Sequence, residues 1–89
     1  MDKQVAKTSS RIVEERYKGN LRVRLYRFSQ DDESVAYMVE IAAWNTWAGQ
    51  GKIIHAVAGL DLAEARNVVR SFLEKYQTYD WMEGELIEV

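Results

Sequence analysis

Arg11, Arg16, Lys18, Arg22, Arg24 and Arg27 fall within seventeen residues, and Tyr17, Tyr26 and Phe28 lie among them. Basic groups neutralise phosphates and aromatic faces stack on bases, so a sheet displaying both is a common way to hold single-stranded nucleic acid. Arginines on strands laid into a DNA major groove can alternatively read guanine edges. Trp44 and Trp47 could extend such a patch from the next hairpin. The candidate nucleic-acid surface is therefore Arg16, Lys18, Arg22, Arg24, Arg27, Tyr26 and Trp47. The competing reading is ordinary sheet surface, its arginines held by cross-strand pairs with Glu14, Glu15 or Glu40. A net charge of −2 favours the competitor, because dedicated nucleic-acid binders are usually clearly basic.

No other set of residues assembles into a site on paper. The single His, His55, stands on a strand with Ile53 and Val57 expected on its face, and no convergent partner is announced for a base or a metal ligand. Ser9, Ser10, Ser29, Ser34 and Ser71 occupy no nucleophile-elbow context. Lys18-Gly19-Asn20 and Ala48-Gly49-Gln50-Gly51 are short turns, without the length or the following helix of a phosphate loop. Asp31-Asp32-Glu33 offers consecutive acids without the spacing or the Gly bend of a Mg²⁺ or Ca²⁺ loop. Glu14 and Glu15 point to opposite faces of a strand and cannot act together. The stretch Tyr79 to Glu85 mixes acids with aromatics. It reads either as a partner-binding tail or as a segment docked by Trp81 with its acids in water. No cofactor or metal is called for, and the expectation is a protein that binds rather than catalyses.

The elements that must position these residues follow from periodicity. Arg11 to Tyr17 is strand-like with loose alternation, and Lys18-Gly19-Asn20 is a tight turn. Leu21, Val23 and Leu25 alternate with Arg22, Arg24 and Tyr26, the period of a half-buried strand. At Tyr26-Arg27-Phe28 strict alternation would put Arg27 inward and Phe28 outward, and a bulge is expected there to correct the phase. After a polar loop, a third strand runs from Val35 to Asn45. Val35, Tyr37, Val39, Ile41 and Ala43 form one face, and Ala36, Met38, Glu40, Ala42 and Trp44 the other. Both faces are largely apolar, as in a strand covered on two sides. A fourth strand, Lys52 to Ala58, ends at Gly59. Asp61 and Glu64 then form a capping-box pair. Leu62, Ala65, Val69, Phe72, Leu73 and Tyr76 make the apolar stripe of a helix over 62–76. Gln77 to Val89 adds a short strand or reaches onto a second subunit.

The fold class is thus α+β: a four-stranded antiparallel meander followed by one helix packed on one face (ββββα), with a possible extra C-terminal strand. Eighty-nine residues make one domain. Residues 1–10 are expected to fray and 11–89 to form the domain. The order of four strands and a capped helix is shared, as topology alone, with several single-strand-binding folds, and no diagnostic residue accompanies it. Apolar residues at 47% and charged residues at 29% are a globular balance. The absence of Cys excludes disulfides and thiolate chemistry. No signal peptide or membrane-length run is visible, so a cytoplasmic protein is expected, which also fits an intracellular phage or plasmid product. Charge is uneven: residues 1–30 hold eight Lys/Arg against three Asp/Glu, net +5, and residues 31–89 four against eleven, net −7. The apolar second face, with Met38, Ala42 and Trp44, predicts an interface and a homodimer. Two functions remain open: a non-catalytic nucleic-acid-binding or regulatory module using the basic and aromatic face, or a protein-interaction module, inhibitor or accessory subunit, using Met38, Trp44, Trp47 and the tail around Trp81.

Overall fold

The alternation of Leu21, Val23 and Leu25 with arginines is the pattern that fixes the architecture. A computed structural model describes residues 8–89. Four strands, β1 (Thr8–Lys18), β2 (Leu21–Gln30), β3 (Val35–Asn45) and β4 (Gln50–Leu60), form an antiparallel sheet in the order β1-β2-β3-β4. Helix α1 (Leu62–Lys75) follows, then a separate hairpin of β5 (Tyr76–Asp80) and β6 (Glu85–Glu88). The ββββα order read from the sequence is the observed one. The C-terminal segment contributes a complete two-stranded hairpin rather than one extra strand. The expected frayed N-terminus falls mostly on residues 1–7, outside the described residues; β1 is already formed at Thr8.

Opposite residues on paired strands share a face. Leu21, Val23, Leu25, Val39, Ile41 and Ala43 all point to the helix side and are essentially fully buried. Ala65, Val69 and Phe72 of α1 close over them. Burying a large aliphatic side chain stabilises by about 1.5–3 kcal/mol, so this single layer supplies most of the driving force for the fold. The helix starts where the sequence places it. Asp61 Oδ1 accepts from the Glu64 amide at 2.8 Å, and Glu64 Oε1 accepts from the Asp61 amide at 3.0 Å.

Two phase expectations are corrected. β2 and β3 pair without interruption from Leu21 to Ser29, so there is no bulge at Tyr26–Phe28. Arg27 does lie on the helix side, opposite Tyr37, and Phe28 on the other. The irregularity sits in β1 instead, between Ile12 and Glu14, where the edge strand absorbs it without disturbing the core strands. In β4 two further shifts lie between Ile53 and His55 and between Val57 and Leu60. His55 therefore shares a face with Val57, opposite Ile41, while Ile53 turns to the other face, opposite Ala42.

The hairpin β5–β6 is fastened to the turn between β1 and β2. Gly19 has φ +58° and Asn20 does not enter the positive region, which is the pattern of a type II′ turn. A Cβ on Gly19 would lie 2.5 Å from the Gln77 carbonyl oxygen, so only Gly permits this approach. Asn20 Nδ2 donates to the Tyr79 carbonyl, and Asn20 Oδ1 accepts from the Tyr79 amide and the Thr78 hydroxyl, each at 2.8 Å. One side chain thus serves β5 as a surrogate strand. Lys18 Nζ donates to the Leu73 carbonyl at the helix C-terminus. Among the described residues no helix is long and apolar enough to cross a membrane.

Candidate functional site

Among the described residues, no element is layered over the face of the sheet away from α1. Register places Glu15, Tyr17, Arg22, Arg24, Tyr26, Phe28, Met38, Glu40, Ala42, Trp44, Ile53 and Ala56 on this open face. Its charged residues fall into two opposite-charge pairs, and Arg22 Nε is buried without a hydrogen-bond partner among the described residues. Arg24 Nε donates to Glu15 Oε2 directly across the strand gap at 2.5 Å, and Arg24 Nη1 to the Tyr26 hydroxyl at 3.3 Å. The Tyr17 hydroxyl donates to Glu15 Oε1 at 2.8 Å. Hydrogen bonds from Arg24 and then Tyr17 hold the Glu15 carboxyl below its ordinary range, and the same carboxylate raises the Tyr17 hydroxyl. Arg22 Nη2 lies 3.6 Å from Glu40 Oε1, with each side chain only 15% exposed.

Beside this network the face is apolar. Arg22 stacks on Trp44, its guanidinium carbon 5.4 Å from the ring centroid. Trp44 can lie flat because its partner on β4 is Gly51; a Cβ there would meet the indole at 2.8 Å. Ala42 is buried although it belongs to the open face, covered by these neighbours. A shallow depression of about 240 Å³ is lined by Arg22, Ala42, Trp44, Gly51, Lys52 and Ile53. Ile53 at its rim is 59% exposed.

The sequence-predicted basic set is split. Arg22, Arg24 and Tyr26 are brought together on the open face. Arg16, Lys18 and Arg27 lie on the helix side, opposite Val23, Leu21 and Tyr37. Trp47 joins neither group. It stands almost wholly exposed on the β3–β4 turn, where Asn45 Oδ1 accepts from the Trp47 amide at 3.1 Å and the Ala48 amide at 3.3 Å. Of the predicted interface residues, Met38 and Trp44 share the open face. Trp81 does not: its Nε1 donates to the Trp44 carbonyl at 2.9 Å, and its ring meets Tyr79 edge-on at 5.4 Å. The tail is therefore docked by Trp81 onto its own sheet, with Met82 and Glu83 at the exposed tip.

Residues missed in the sequence are Asn20, Gly51, Arg66 and Arg70. The last two line a groove with Glu14, Arg16 and Val69 on the helix side. Helical spacing marks them only as solvent-facing, and nothing in the sequence says that the solvent they face is the flank of β1. Among the described residues no group of three or more His, Cys, Asp or Glu is placed to hold a metal ion. Comparison with known proteins finds no matching family model, no similar curated protein and no similar solved structure.

Proposed function

We propose that the chain is a non-catalytic interaction module that works as a homodimer, with the open face of the sheet as the contact between copies. The observation that carries this reading is the internal neutrality of that face. Arg24 is matched by Glu15 and Arg22 by Glu40, so two copies meet without net repulsion. Met38, Ala42, Trp44 and Ile53 supply a flat apolar area of the kind that marks an interface. Arginines already matched and largely covered are poor phosphate ligands, so nucleic-acid binding on this particular face loses support. The tail loses support as a partner site because Tyr79 and Trp81 turn inward. A cytoplasmic setting belongs to the same proposal.

The test is sedimentation velocity across a concentration series, for the native chain and for Ala42→Arg and Ile53→Glu. A native dimer, converted to a folded monomer by either change, is the expected result. A native chain that remains monomeric at every concentration overturns the proposal, as does a dimer that both variants leave intact.

A further inference from the structure

The groove between β1 and α1 is lined by Glu14, Arg16, Arg66, Val69 and Arg70, with a volume of about 390 Å³. Three guanidiniums meet one carboxylate there. Glu14 is taken by Arg16, at 3.1 Å. Arg70 donates only to the neutral Asn67 Oδ1, at 2.7 Å, and Arg66 has no ion pair among the described residues. The same side of β1 continues to Arg11, which stands opposite Arg27 on β2. Like charges placed directly across a strand pair are destabilising unless something else offsets them. The β2 partners of Arg11 and Arg16, Arg27 and Val23, are four residues apart, so the two arginines stand about 13 Å apart along the sheet at about 3.3 Å per residue. The result is a stripe of positive charge on a chain that is acidic as a whole.

We infer that this stripe binds the phosphodiester backbone of nucleic acid, through Arg11, Arg16, Arg27, Arg66 and Arg70. Guanidinium forks match phosphate oxygens bidentately, and an extended row of them suits a ligand whose charges repeat. The aromatic residues that could stack on bases are elsewhere: Tyr17, Tyr26, Phe28 and Trp44 are on the open face and Trp47 is on a turn. The aromatics on the helix side, Tyr37, Phe72 and Tyr76, belong to the core or pack against it. The contact is therefore with backbone and not with bases, so charge density sets the affinity and duplex binds at least as well as single strand. An acidic peptide is the less suited occupant, because the only apolar lining residue, Val69, is itself buried and offers no pocket for a side chain.

This inference is independent of the dimer, since the groove lies on the opposite side of the sheet. The test titrates the native chain into labelled mixed-sequence duplex, labelled single strand and labelled polyglutamate, read by anisotropy at several salt concentrations and by intrinsic Trp fluorescence. Expected is duplex binding that weakens steeply with salt, without Trp quenching. Arg66→Glu with Arg70→Glu should lower affinity at least tenfold. The milder Arg66→Gln with Arg70→Gln should reduce the log–log salt slope by about 2, one phosphate contact for each arginine. Both positions are exposed, so these variants keep the fold. The open-face change Arg22→Gln should leave affinity unchanged. Absence of duplex binding at low salt overturns the inference. So does affinity indifferent to Arg66 and Arg70, quenching of Trp on binding, or tighter binding of polyglutamate than of duplex.

Discussion

On the open face of the sheet each arginine of β2 has its own glutamate, Arg24 with Glu15 and Arg22 with Glu40. On the helix side Arg16, Arg66 and Arg70 share a groove with one carboxylate, Glu14, and Arg11 stands opposite Arg27 further along the same strand pair. The two faces draw on the same residue types and differ in how strand register combines them. Glu14 and Glu15 are neighbours in sequence yet serve opposite sides. The difference extends to the apolar residues. Those facing α1 are sealed, whereas Trp44 and Ile53 remain partly open. One side is thus a finished core bordered by unbalanced charge, and the other a balanced surface still carrying apolar area. The first arrangement suits a charged ligand and the second a protein surface.

The largest effect that sharpens this contrast comes from paired truncations. Phe72→Ala, on the sealed side, should cost about 3–5 kcal/mol in urea unfolding. That is a large share of the stability of a domain this small. Ile53→Ala, on the open side, should change monomer stability by no more than about 0.5 kcal/mol. The contrast breaks if the two costs are similar at low protein concentration. A cost at Ile53 that grows with protein concentration would instead report burial in the dimer.

Asn20→Ala should come next, at about 2–3 kcal/mol. It removes three hydrogen bonds and leaves the β5 backbone groups of Tyr79 without partners. The hairpin should loosen first, seen as faster amide exchange in β5 and β6 and a red shift of Trp81 emission. The open-face residues of β1 and β2 should be unaffected. Asp61→Ala, which unties the other end of the helix layer, should cost about 1 kcal/mol and fray the first turn of α1 while sparing the open face.

The strands and helix were legible in the sequence because their signals are local. β3 occupies Val35–Asn45 as its alternation indicates, and the Asp61–Glu64 box starts the helix. The faces of Arg22, Arg24, Met38 and Trp44 were legible for the same reason. What escaped depends on two segments meeting. The two-residue turn sets Glu15 opposite Arg24, but the β1 shift at Val13 decides that Ile12, not Val13, lies opposite Tyr26 and that Arg11 meets Arg27, and a bulge on an edge strand leaves no compositional mark. Placing the bulge at Tyr26–Phe28 would have turned Arg27 outward; uninterrupted pairing with β3 keeps it on the helix side. Asn20 looked like a turn residue and is one, but its bonds to β5 span fifty-nine residues. The acidic tail was ambiguous because Trp81 finds its acceptor, the Trp44 carbonyl, only in three dimensions.

The smallest expected effect tests the open-face network directly. Glu15 accepts from Arg24 and Tyr17, and its carboxyl is held below the ordinary glutamate value. A carboxylate with a lowered folded-state pKa adds stability that is present above the unfolded value and is lost as pH falls through the folded one. Acidification should therefore weaken the Arg24 contact below the pH at which an ordinary glutamate titrates, with no loss at neutral pH. Carboxyl chemical shifts followed by NMR should show Glu15 titrating at a lower pH than an ordinary glutamate. Glu15→Gln should remove this contribution and leave Arg24 unmatched, which makes the open face locally basic. If pairing is what suits the open face to a second copy, that single change should weaken the dimer, because each copy would then bring an unmatched guanidinium into the contact. Arg24→Gln added to it should restore dimerisation. A dimer unchanged in Glu15→Gln would mean that neutralisation is not what separates the two faces.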